Sequence, residues 1–263
     1  MNAQTVEVPA EEIETPKNSV RIAQEAYSAR RIQRVAEHLD AASYLQIGAW
    51  QGRTFNLVNL PIKVGVHPRF PFDVSKYAKE GIEFIASTAD DFFLSSKSYR
   101  HFDIIFLDEA PNFAHAFRNF CNSLSCAHDD TVWLVDDIFP SDVYSAWPHP
   151  AESRNGRRLA GEVSPHWHSD VYKLLFAIHD FFPLLDFVSF GSRGNAQTLI
   201  WKAPRAQFAP LFGSLEAIER LGYVELLKRK AILNLKPENE AFDIFFSSVQ
   251  GNFSPANVAQ RRG

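Results

Sequence analysis

The side chains best suited to chemistry in this sequence stand directly behind short apolar runs. Asp108 and Glu109 follow Phe102–Leu107, Asp136 and Asp137 follow Thr131–Val135, Ser87-Thr-Ala-Asp90-Asp91 comes after Ile82–Ile85, and His67-Pro-Arg69 follows Ile62–Val66. If these runs are adjacent strands, Asp108, Asp136 and Asp137 share one edge, where close carboxylates repel unless a cation or a proton relieves them. A divalent metal held by these three acids is one expectation; a metal-free site in which one group takes a proton is the other. Behind the first run, Ser43–Ile47, lies Gln46-Ile-Gly48-Ala-Trp-Gln-Gly52, whose two glycines let the main chain approach a ligand. His149, His166 and His168 lie in or beside a long loop with Trp147 and Trp167. They fit no familiar zinc spacing, and no Cys accompanies them. Arg154, Arg157 and Arg158 form a basic cluster suited to a phosphate or carboxylate on a ligand.

These residues need a scaffold, and the apolar periodicity supplies one. Ile22, Ala26, Ile32, Val35, Ala36 and Leu39 recur at helical spacing over Ser19–Leu39. Strand-like runs then alternate with helical stretches at Gly52–Val58, Val74–Lys79, Ala89–Leu94 and Asn112–Cys126, which argues for a doubly wound α/β sheet. In the last of these, Phe113, Phe117, Phe120 and Leu124 fall on one face. A loop at about 138–167 precedes a helix carrying Val171, Leu174, Leu175, Ile178, Phe181 and Phe182. Asp186–Phe190 and Ala196–Lys202, joined by Gly191-Ser-Arg-Gly-Asn195, read as a hairpin, so the sheet should end in an antiparallel strand. The expected organisation is a flexible acidic arm at 1–18, a Rossmann-like domain at 19–202 and a helical appendage at 203–263, with one helix from Ser214 to about Ala231 and a polar end. In such a sheet, ligands bind outside the carboxyl ends of the strands near the point where strand order reverses.

Composition narrows the class further. The chain has 263 residues, 46% of them hydrophobic, enough for a sizeable core, and 23 Phe, 7 Tyr and 5 Trp to fill it. A net charge of −4 supplies no global field for nucleic acid or an anionic membrane. No apolar run approaches the roughly 18 residues that span a bilayer. The N-terminal stretch holds four Glu before its first basic residue, Lys17, unlike a secretory signal. Cys121 and Cys126 read as buried helical thiols in a reducing compartment, so a cytoplasmic location is expected. Oligomeric state stays open.

The succession Ser43-Tyr-Leu-Gln-Ile-Gly48…Gly52-Arg-Thr-Phe, Lys63-Val-Gly-Val-His-Pro68, Thr88-Ala-Asp-Asp-Phe-Phe93, Phe102-Asp-Ile-Ile-Phe-Leu-Asp108 and Val135-Asp-Asp-Ile-Phe-Pro140 resembles the class I S-adenosylmethionine-dependent methyltransferases. Within that class it is similar to a bacterial branch that tailors glycans and small molecules, over residues of about 30–202. Trp167-His-Ser-Asp-Val-Tyr-Lys173 is similar to the segment opening the helix before that family's terminal hairpin. The resemblance implies a seven-stranded Rossmann-like sheet and O-methylation of a small or sugar-like hydroxyl acceptor. It implies that Gln46, Gly48, Gly52, His67, Asp90, Asp91 and Asp108 face the cofactor, with Asp90 and Asp91 toward its adenine end; for these two, helix capping is the competing role. Gln46 stands where the family has an acid, and His67 where it has the acid that grips the ribose. The resemblance further implies a magnesium ion on Asp108, Asp136 and Asp137 in some relatives. Without metal, Asp137 or His168 would be the base, with Asp108 beside it. A nicotinamide enzyme is disfavoured because G-x-G-x-x-G is absent. The alternative to an enzyme is a non-catalytic binding protein of the same fold in which Gln46 and His67 mark a lost cofactor site.

Overall fold

The computed structural model describes residues 16–95, 100–108, 110–164, 166–191, 196–205 and 209–249. Glu109, most of the acidic arm and turn residues 192–195 lie outside them. Helix α1 (Pro16–Leu39) leads in, with Pro16 at the first helical position, where its fixed φ and missing N–H cost nothing. Helix therefore already covers 16–18, which were expected in the arm.

The strands are β1 (Ser43–Ile47), β2 (Ile62–His67), β3 (Ile82–Ala86), β4 (Phe102–Leu107), β5 (Ala127–Val135), β6 (Leu185–Phe190), β7 (Gln197–Lys202) and β8 (Leu235–Lys236). They form one sheet in the order β3-β2-β1-β4-β5-β7-β6-β8. The first five strands pair in parallel, and β7 runs antiparallel between β5 and β6. The terminal antiparallel strand thus stands as expected, and strand order reverses between β1 and β4. The sheet has eight strands rather than seven, because β8 adds a short parallel pairing to β6.

Helices α2 (Arg53–Leu57), α3 (Ala89–Leu94), α4 (Phe113–Ser123), α5 (Pro150–Ala160), α6 (Lys173–Phe181), α7 (Leu215–Glu219), α8 (Tyr223–Lys228) and α9 (Glu238–Val249) complete the fold. Side chains alternate across each strand, so Leu45, Ile47, Ile105, Leu107, Trp133 and Val135 face the layer containing α4 and α6. Tyr44, Ile104, Phe106, Val132 and Leu134 face α1, α2 and α9. The expected aromatic face of α4 packs inward, with Phe113 and Phe120 buried and Phe117 and Leu124 flanking them.

Several elements differ from expectation. Val74–Lys79 is only a 3-10 turn, Val74–Lys76, whose start is capped when Asp73 accepts from the Ser75 N–H. The 138–167 loop contains α5, which begins with Pro150 and ends at Gly161 in the left-handed conformation (φ 71°). The helix expected over 214–231 breaks into α7 and α8 at Leu221-Gly222. Within the described part of 203–263, Ile218, Leu226 and Leu233 join the α6 side of the core, and Phe242 and Phe245 join the other. Burying each of those phenylalanines contributes about 2 kcal/mol. Cys121 is half-buried, Cys126 is buried, and neither is in a disulfide. Among the described residues no helix is long and apolar enough to cross a membrane.

Candidate active site

The alternation that builds the sheet also assembles its polar edge. Tyr44 and Gln46 lie two apart on β1 and so share a face, where the Tyr44 hydroxyl donates to Gln46 Oε1 at 2.9 Å. On β4 the same phase runs Ile104, Phe106, Asp108, and Gln46 Nε2 donates to Asp108 Oδ2 at 2.8 Å across the point where strand order reverses. On β5 it runs Val132, Leu134, Asp136, and the Asp136 carboxyl is hydrogen-bonded to Asp108 and Gln197. Gln197 in turn accepts from Arg31 Nη1 at 2.9 Å and donates to Ser28 Oγ at 2.7 Å. Arg31, 1% exposed, closes the chain on Glu238 at the start of α9. A continuous polar row therefore crosses β1, β4, β5 and β7 at one edge, backed by α1 and α9.

Within this row the carboxyls are unequal. Asp136 is 7% exposed; burial, and then the neighbouring charge of Asp137, pushes its pKa up to about 7. Its Oδ1 accepts from the Asp137 N–H at 2.9 Å. Asp137 is half-buried and sits in the left-handed region (φ 61°), a strained place for a non-glycine residue. Burial, and then Asp108, pushes the Tyr44 hydroxyl well above its ordinary pKa, keeping it a donor.

The metal expectation fares differently from the clustering of the acids. Asp108, Asp136 and Asp137 do come together, but among the described residues no group of three His, Cys, Asp or Glu side chains is arranged to hold an ion. Asp136 already spends its carboxyl on the Asp137 N–H, Gln197 and Asp108. The residues present do not fit magnesium.

The expected cofactor residues divide. Gly48 (φ 93°) and Gly52 (φ 66°) form a left-handed turn after β1, pinned by the Gly48 and Ala49 N–H groups on Val66 O at 2.9 and 3.1 Å. A Cβ on Gly52 would meet the Phe72 ring at 2.7 Å, so this glycine also serves close packing. Gln51 Oε1 in the turn is a buried acceptor with no partner among the described residues. Gln46 is 2% exposed and both ends of its amide are engaged, so it holds Asp108 rather than facing a ligand. His67 ends β2 half-buried, its Nδ1 turned onto the Arg69 backbone with the N–H at 3.0 Å. Thr88 Oγ1 caps α3 by accepting from the Asp91 N–H at 3.1 Å and donates to the Asp91 carboxylate at 2.7 Å, and Asp90 pairs bidentately with Arg118 at 2.7 and 2.8 Å. Asp91 thus takes part in the capping that competed with adenine contact, whereas Asp90 is engaged with Arg118.

The loop after β5 is also spoken for. Described contacts hold the His168 ring on Ser145 Oγ and its N–H on Ser145 O at 3.1 Å. Arg157, expected to meet an anionic ligand, is buried and bonded to both Asp142 oxygens at 2.8 Å and to His166 O at 2.9 Å. The exposed Arg158 bonds Asn155. Sequence reasoning missed Arg31, Gln197 and Ser28; only the phase of β7 against β5 brings them in. It also missed Asp170, which accepts from the Phe113 N–H at 2.7 Å and pairs with Lys173 at 2.8 Å, fixing the start of α4.

No family model matches this chain, and no curated protein does. Among solved structures, it is similar to the O-methyltransferase TomG of Streptomyces achromogenes, solved with S-adenosylmethionine, at 16% identity over 73% of this chain and 92% of that one (TM-score 0.45). It is also similar to an S-adenosylhomocysteine-bound methyltransferase of Podospora anserina, at 12% identity over 72% and 82% (TM-score 0.49). An O-methyltransferase of Bacillus cereus, in complex with S-adenosylhomocysteine, shares 16% identity over 73% and 82% (TM-score 0.40). Likeness at this level carries no activity across to this chain.

Proposed function

We propose that this chain is an S-adenosylmethionine-dependent methyltransferase that acts on a hydroxyl group of a small or sugar-like acceptor in the cytoplasm. The observation that carries the reading is the edge at the β1/β4 reversal, where the Gly48–Gly52 turn and Asp108 flank the crevice and Asp136 and Asp137 stand beside it. A doubly wound sheet binds its ligand at that reversal. The motif order between residues 43 and 140 supports the choice of cofactor. So does the chemistry of the turn, because the orphaned Gln51 Oε1 and the Asp108 carboxylate both accept hydrogen bonds and suit a cationic, donor-rich ligand.

The cofactor supplies an electrophilic methyl group when bound. The chain's own contribution is to position the acceptor and take its proton. Asp136, its pKa pushed up to about 7, is partly protonated at neutral pH, which lessens the charge against which the more accessible Asp137 would gather a proton. Asp137 is the group placed to accept the hydroxyl proton. Gln46 orients Asp108, and the Tyr44 hydroxyl fixes Gln46. No step runs through magnesium.

The test is calorimetric titration of the full chain with S-adenosylmethionine and S-adenosylhomocysteine, with and without magnesium. Micromolar binding, about −8 kcal/mol, unchanged by magnesium, is the expected result. No heat under either condition would sink the reading and favour the non-catalytic alternative.

A further inference from the structure

Gln197 opens β7 at the acid edge and is 1% exposed. The hairpin register sets it opposite Phe190 on β6. Arg31 lies with its guanidinium over the Phe190 ring, 4.5 Å from the centroid, and so reaches the Gln197 amide from α1. Its Nη1 donates to Gln197 Oε1 at 2.9 Å, while Nε and Nη2 donate to Glu238 Oε2 at 3.1 and 3.0 Å. Ser28, three residues earlier on the same helix face, accepts from Gln197 Nε2 at 2.7 Å. An amide nitrogen has two N–H groups, and the second serves the hydrogen bond to the Asp136 carboxyl.

A guanidinium only donates, whereas an amide has a donor end and an acceptor end. Arg31 therefore decides which end of Gln197 turns toward Asp136. With the amide reversed, N–H groups of Gln197 and Arg31 would meet, and the amide oxygen would meet the carboxyl, in a buried place where such mismatches are costly. We infer that Gln197 is a positioning residue for Asp136, held with its donor end forward by Arg31, which Glu238 at the start of α9 anchors in turn. The C-terminal helix thereby acts on the acid edge through two side chains. The hydrogen bond that Gln197 donates favours the Asp136 carboxylate, against burial and the neighbouring charge of Asp137. Charged groups that act on Asp136 include Asp137 beside it and Arg31 behind Gln197, and Asp108 is hydrogen-bonded to it. The inference concerns the acid edge itself and stands whether or not the chain is a methyltransferase.

Neutron diffraction from deuterium-exchanged crystals of the full chain tests it, because it separates the amide nitrogen from its oxygen. The expected map has the Gln197 Nε2 deuterons aimed at Ser28 Oγ and at the Asp136 carboxyl, with Oε1 aimed at Arg31. Titration of Asp136 in a chelator, followed by NMR of its carboxyl carbon, supplies a second readout that a merely structural amide would not move. Gln197→Met should raise the Asp136 midpoint by about one pH unit, an about tenfold tighter hold on the proton, through loss of the donor. Arg31→Met should also raise it, and adding Gln197→Met should then raise it no further, since an amide no longer held can turn its oxygen to Asp136. An amide oxygen facing Asp136 in the wild type would overturn the inference. So would an unchanged midpoint in Gln197→Met, or two shifts that add in the double variant, which would mean that Arg31 acts by its charge alone. If Arg31→Met fails to fold, the neutron map and the Gln197→Met titration decide.

Discussion

Two aspartates at opposite edges of the sheet, on the neighbouring strands β4 and β5, show how placement makes one residue structural and another reactive. Asp103 opens β4 at the amino edge, and Asp136 follows β5 at the carboxyl edge. Both are substantially buried, which by itself raises a carboxyl pKa. At Asp103 that effect is overcome: Oδ2 accepts from the Ala42 N–H, the Ser43 N–H and the Ser43 hydroxyl, each at 2.8 Å, and Oδ1 faces His128 Nε2 at 3.0 Å. Its pKa is held down to about 2. Asp136 has fewer donors and a carboxylate neighbour, and goes up to about 7. A parallel sheet explains the asymmetry. Loops entering at the amino edge turn N–H groups toward a side chain there, whereas the carboxyl edge gathers Asp108, Asp136 and Asp137 side by side.

The largest expected effect is at the reactive edge. Asp137→Ala should cut turnover of any accepted hydroxyl substrate by about 10²–10⁴-fold, the range for removing a general base, and leave S-adenosylhomocysteine affinity unchanged. Single-turnover kinetics and calorimetry on one preparation separate the two readouts; loss of affinity with preserved turnover would refute the assignment. Asp103→Ala should behave oppositely. It strands the donors on Ala42, Ser43 and His128, so urea unfolding should show a loss of about 3 kcal/mol while activity per folded molecule stays the same.

The pH dependence of stability sharpens the same contrast. An unfolded aspartate titrates near about 3.9. Asp136, raised to about 7, contributes stability that is complete below pH 4 and is lost as pH rises through 7, because the folded state must then bury a charge. Asp103, lowered to about 2, contributes stability present above pH 4 that is lost as pH falls through 2. Relative to Asp136→Asn, the wild type should therefore lose about 1 kcal/mol per pH unit between pH 4 and 7, the slope of one linked proton. Relative to Asp103→Asn it should lose stability only on the acid side. Parallel curves for wild type and Asp136→Asn would remove the proton from the acid cluster.

Much of this edge was legible in the sequence, for a local reason. Asp108, Asp136 and Asp137 stand directly behind short apolar runs that read as adjacent strands, which already puts them at one edge of the sheet. The glycine turn was legible from Gly48 and Gly52. What escaped notice depends on contacts far apart in the chain. Gln197 reaches Asp136 only through the antiparallel register of β7 on β5, and Arg31 meets Gln197 across 166 residues. Asp90 looked like a ligand because Arg118, 28 residues away, could not be placed beside it. Helix α5 went unread because it buries Ser153 and Arg157 instead of an apolar stripe, although Pro150 and Gly161 mark its ends. Helix α9 hid in a segment read as polar, where Phe242, Phe245 and Val249 recur at helical spacing.

The smallest effect expected tests why an amide, and not an acid, occupies position 46. Gln46 Nε2 lies 2.8 Å from Asp108 Oδ2, so Gln46→Glu replaces a donor with a second carboxylate against the first. The Tyr44 hydroxyl would still donate to the new side chain, as it does to the amide oxygen, and offset part of the loss. A destabilisation of about 1–2 kcal/mol follows from losing a hydrogen bond to a charged group. Because the cost comes from two like charges, it should shrink as pH falls and one carboxyl gains a proton. Gln46→Met loses the same bond without adding charge, so its cost should not shrink in that way. Matching pH curves for the two variants would show that the Gln46–Asp108 contact does not respond to charge, and would return position 46 to the role of a ligand-facing residue.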